Sequence, residues 1–76
     1  MNKRKRALLQ KAINALDVAS EYINTVIEDE QESLDNMPDN LNESERYSCM
    51  EEAIEQLEEA IEHIDDAKEN IENASA

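Results

Sequence analysis

Cys49 and His63 are the only cysteine and the only histidine of the sequence, a thiol that could act as a nucleophile and an imidazole that could act as a base or metal ligand. A thiol attacks as the thiolate, which needs a neighbouring base or cation to lower its pKa. Arg46 lies about one helical turn before Cys49. His63 lies about four turns beyond it on the same rod, so the two can meet only across a subunit boundary. The carboxylates around Cys49 disfavour a thiolate, and the residue reads as a plain cysteine, partly buried or at the surface. His63 has Glu59, Glu62 and Asp66 near it in sequence. A helical di-metal site uses Glu-x-x-His repeated on partner helices, and here the position three before His63 is Ala60. Glu59 and His63 from paired chains amount at most to a weak zinc site, so His63 reads as a rim or exposed residue. Asp29, Glu30 and Glu32 lack the glycine and the alternating ligands of a calcium loop. With no glycine in the chain, a phosphate-cradling loop is excluded. The expectation is a protein that is not an enzyme, with no catalytic residue, no metal and no cofactor.

Charge divides the chain sharply. Lys3, Arg4, Lys5, Arg6 and Lys11 form a tip of +5 with no acid. The rest holds all twenty carboxylates against Arg46 and Lys68, a charge of -18 that gives the formal -13 overall. Four adjacent cations can touch phosphates or an anionic surface, but the acidic body opposes approach to DNA. Direct nucleic-acid binding is therefore not expected. Neutralisation of the tip within the molecule, by Glu69 and Glu72, is the preferred reading.

The 76 residues bound one small domain, 1–76. Phe and Trp are absent, so Leu, Ile, Val, Met and Ala must build the core. With one proline and no glycine, almost the whole chain is free to be regular. The lone cysteine permits no internal disulfide and suits a reducing compartment. Gln10 and Lys11 interrupt the apolar run that a signal peptide would need after Lys3–Arg6. No run approaches the ~20 apolar residues that span a bilayer. The expected location is the cytoplasm, with no membrane association.

Two elements must carry these residues. Leu9, Ala12, Ile13, Leu16, Ala19, Ile23, Val26 and Ile27 recur at three and four residues, the pattern of a helix with one buried stripe. Leu34 continues the stripe after a polar interruption at Glu30, predicting a helix over about 4–34. Tyr47, Met50, Ile54, Leu57, Ile61, Ile64 and Ile71 form a heptad seam. Tyr47, Ile54, Ile61 and Lys68 fall at a, and Met50, Leu57, Ile64 and Ile71 at d. Ala53, Ala60, Ala67 and Ala74 repeat at g, where small side chains admit a second neighbouring helix. Glu51, Glu52, Glu55, Glu58, Glu59, Glu62, Asp65, Asp66, Glu69 and Glu72 fill the remaining faces. This second helix is predicted over about 43–74. Between the two, residues 35–42 read DNMPDNLN. Pro38 has no amide proton and biases Met37 away from the helical region. Asn42 or Ser44 offers an N-cap, with Glu45 placed as the partner acid of a capping box. Met37 and Leu41 are expected to fold over the loop end. Two helices of similar length joined by a short loop lie antiparallel. The expected fold is all-α: a hairpin of two long helices, paired as a homodimer into a four-helix bundle.

The segments DEQESLDNMPDNL (29–41), SERY (44–47) and MEEAIEQLEEAIEHIDDA (50–67) resemble small acidic helical proteins of phages and other mobile elements of Gram-positive bacteria. The proline loop followed by Ser44, Glu45 and Arg46 is the most specific part of that resemblance. It implies a mobile-element context and no catalytic residues.

The expected function is that of a non-enzymatic helical interaction or accessory protein. Its core and dimer interface would be Leu9, Ile13, Leu16, Ile23, Val26, Ile27, Tyr47, Met50, Ile54, Leu57, Ile61, Ile64 and Ile71. The alternative is a nucleic-acid mimic that inhibits a basic DNA- or RNA-binding protein. Its acidic face would be Glu51, Glu55, Glu58, Glu62 and Asp65, which form one stripe at spacings of three and four.

Overall fold

The computed structural model describes residues 1–38 and 45–76. Helix α1 runs Lys3–Asp35 and helix α2 Glu45–Ser75. They pack along one another as a hairpin of 59 × 15 × 12 Å. The part of the predicted 35–42 loop after residue 38, with Leu41 and the candidate caps Asn42 and Ser44, lies outside the described residues.

Asn2 caps α1: its side-chain oxygen accepts from the Lys5 amide at 2.8 Å, and its carbonyl accepts from the Arg6 amide at 3.1 Å. The side-chain bond satisfies one orphan amide of the first turn, and the Arg6 bond is the first of the helix's own ladder. At the other end the Asn36 amide donates to the Glu32 carbonyl and the Met37 amide to the Leu34 carbonyl. Pro38 follows directly, and helical bonding stops there.

The buried side of α1 keeps a strict spacing of four and three through Leu9, Ile13, Leu16, Ser20, Ile23, Ile27, Glu30, Leu34 and Met37. Ile13, Ser20, Ile27 and Leu34 thus stand at a; Leu9, Leu16, Ile23, Glu30 and Met37 stand at d. Glu30 is half-buried within this register. It continues the stripe where the apolar pattern alone predicts an interruption. Val26, expected in the core or dimer interface, is 47% exposed in the single hairpin. It precedes the a residue Ile27, so its side chain projects from the g flank, about 100° around the helix from the seam centre.

In α2 the seam runs Tyr47, Met50, Ile54, Leu57, Ile61, Ile64, Lys68, Ile71 and Ser75, each buried or half-buried. Among the described residues only Leu34 and Ile54 are buried, at 8% and 6% exposure, both toward the loop end. Two helices cannot enclose a seam on all sides, so most seam residues stay half-open to solvent.

Helix α1 carries its charges against its own dipole. The first turn of α1 holds four cations and no acid, and its last turn no cation. A helix N-terminus favours anions and a C-terminus favours cations. The antiparallel neighbour reverses the sense: the cationic tip lies beside the C-terminus of α2, and the acids of the last turns of α1 lie beside the N-terminus of α2.

Candidate interaction surface

Lys68 fixes which flanks of the two helices share a side. It replaces an apolar residue at a. Its ammonium donates to Asp17 Oδ1 of α1 at 2.8 Å and lies 3.6 Å from Asp65 Oδ1, three residues back on α2. Asp17 follows the d residue Leu16 and Asp65 follows the d residue Ile64, so both stand at e. The e rows of the two helices therefore line one side of the seam, and the g rows line the other. The hydrogen bond that Lys68 donates to Asp17, followed by attraction to Asp17 and Asp65, raises the Lys68 pKa above its ordinary value despite partial burial. These are the ion pairs found among the described residues.

The e side is polar and acidic. An open groove near the loop end is lined by Gln31 and Asp35 of α1 and by Glu51, Glu55 and Glu58 of α2, with Leu34, Tyr47 and Ile54 at its floor. A second hollow lies among Glu55, Glu58, Glu59 and Glu62. Glu51, Glu55, Glu58, Glu62 and Asp65 are all exposed. At the open end a smaller hollow brings Arg6 and Gln10 beside Glu72 and Ser75. The cationic tip thus shares a surface with the end of α2, as the charge pattern predicts, without a direct ion pair between them.

The g side is different in kind. With the c positions beside it, it carries Leu8, Ala12, Ala15, Ala19, Tyr22 and Val26 from α1. From α2 it carries Cys49, Ala53, Gln56, Ala60, His63, Ala67, Asn70 and Ala74. No carboxylate, lysine or arginine interrupts either series. Leu8 is 48% exposed and Tyr22 73%. Sequence reasoning identified the alanine row of α2. That α1 supplies a matching uncharged row on the same side depends on how the helices pair.

Cys49 is exposed, and so is His63. Both stand at c in α2, separated along its length as the sequence implies. Among the described residues, no group of three His, Cys, Asp or Glu side chains is arranged to hold a metal ion. None of the described helices is long and apolar enough to cross a membrane. Compared with protein-family models, with curated proteins and with solved structures, the chain matches none.

Proposed function

We propose that this protein is a non-enzymatic helical interaction module that works as a homodimer, two hairpins forming a four-helix bundle. One observation carries the reading. Among the described residues the hairpin buries only Leu34 and Ile54 while leaving Leu8, Val18, Tyr22 and Val26 about half exposed or more. Burying a large apolar side chain contributes about 1.5–3 kcal/mol, so a lone hairpin leaves much of its available stabilisation unused. Pairing recovers it. An accessory role in the cytoplasm, in a mobile-element setting, accords with the resemblance of residues 29–67 described above. Sedimentation equilibrium tests the proposal. The expected mass is twice the 8.7 kDa of one chain; a fully helical monomer at micromolar concentration overturns it.

The acidic side favours a second reading, a nucleic-acid mimic. Between Glu51 and Glu72, α2 carries ten carboxylates against Lys68, one per roughly 3 Å of helix axis. A single nucleic-acid strand presents one charge per ~3.4 Å. A basic cleft would be drawn to such a rod. Reversing Glu51, Glu55, Glu58, Glu62 and Asp65 to lysine separates the two readings. Under the mimic reading it abolishes salt-sensitive capture of basic nucleic-acid enzymes. If capture is unchanged, the stripe serves only solubility.

A further inference from the structure

We infer that the uncharged g and c side of the hairpin is the surface that receives a second copy of this chain, and that the two copies pack tip to loop. The inference rests on the dimeric reading above and adds to it the face and the orientation.

The face follows from charge. A second copy brings its own -13, so close approach through the e side would set rows of carboxylates against each other. The opposite side, from Leu8 to Val26 on α1 and from Cys49 to Ala74 on α2, presents no ionised side chain beyond what His63 adds when protonated. Its small g residues let a backbone come near, while Leu8, Tyr22 and Val26 supply exposed apolar surface for burial. On α1 this uncharged stretch, Leu8 to Val26, runs about 27 Å along the rod.

The orientation follows from the ends. Lys3, Arg4, Lys5, Arg6 and Lys11 lie at one end of α1; Glu28, Asp29, Glu30, Glu32 and Asp35 lie at the other. A two-fold axis across the rod at Ala19, the midpoint of α1, sets residues 3–11 of one copy over residues 27–35 of the next. The +5 end of one α1 then lies along the acidic end of the other at each end of the bundle. The alternative, with both loops at one end, stacks the two acidic ends together.

The native cysteine supplies the test. Cys49 is exposed and lies near the loop end of α2. A nitroxide on Cys49 of the full chain should give one inter-copy distance of roughly 50 Å for tip-to-loop packing, and within roughly 20 Å if the loops lie together. Tyr22→Glu alters a side chain that the hairpin itself leaves open, so the hairpin still forms, and a buried charge at the interface weakens pairing at least ~100-fold. Asn14→Glu, on the acidic side, leaves pairing intact. A short distance between labels overturns the orientation. A dimer that survives both Tyr22→Glu and Ala60→Glu overturns the face but leaves the interaction module standing. A monomeric wild type overturns both.

Discussion

Lys68 occupies a seam position that isoleucine or leucine would fill by pattern, and its head group is held by Asp17 from across the hairpin. Because its pKa is raised in the folded protein, protonated Lys68 favours folding. That contribution is fully present below the ordinary lysine value of 10.5 and is lost as pH rises through the raised value. The expected result is a melting temperature that falls more steeply above pH 10.5 for the wild type than for Lys68→Met, which keeps the stem's packing and has no proton to lose. Parallel curves would show that the Asp17 contact does not couple to folding. Ser20 holds a comparable place on α1. Its hydroxyl is buried in the seam with no hydrogen-bond partner in the structure, and Glu30 is also drawn into the register. A search for apolar residues passes over both. Extending the alternation of three and four through polar positions would have found them. Val26 shows the converse difficulty: beside Ile27, it cannot be assigned to seam or flank by its apolar nature alone.

Each helix is poorly charged for its own formation. The rows Glu51, Glu55, Glu58, Glu62 and Asp65 set like charges three and four residues apart, a destabilising arrangement in an isolated helix. Helicity in α2 must therefore be held by the packed seam against this repulsion. Salt screens exposed charges over about 10 Å at 0.1 M, so added salt should raise the melting temperature. A flat response would mean that local pairing has already neutralised the face. The same logic explains the cationic tip. Lys3–Arg6 oppose the dipole of α1, and Arg6 shares a hollow with Glu72 at the carbonyl end of α2, a neighbour that the antiparallel pairing supplies.

A rod of 59 × 15 × 12 Å is nearly all surface, and stability that depends on a second copy depends on concentration. The melting temperature should rise with protein concentration; an invariant value across a hundredfold dilution would contradict pairing. The sequence by itself determined the two helices, the break near Pro38, the α2 seam and the separation of acids from alanines along α2. These are properties of local periodicity, which needs no knowledge of the neighbour. Hairpin pairing was legible as well, because short connections between helices of similar length leave few alternatives. The tertiary structure alone decided how the flanks combine. Once Asp17 and Asp65 meet at Lys68, the e rows share one side and the g rows the other, and a rod with an acidic side and an uncharged side results. The rotation of one helix about its axis relative to another is set by contacts between residues far apart in the chain, about which spacing within either helix carries no information.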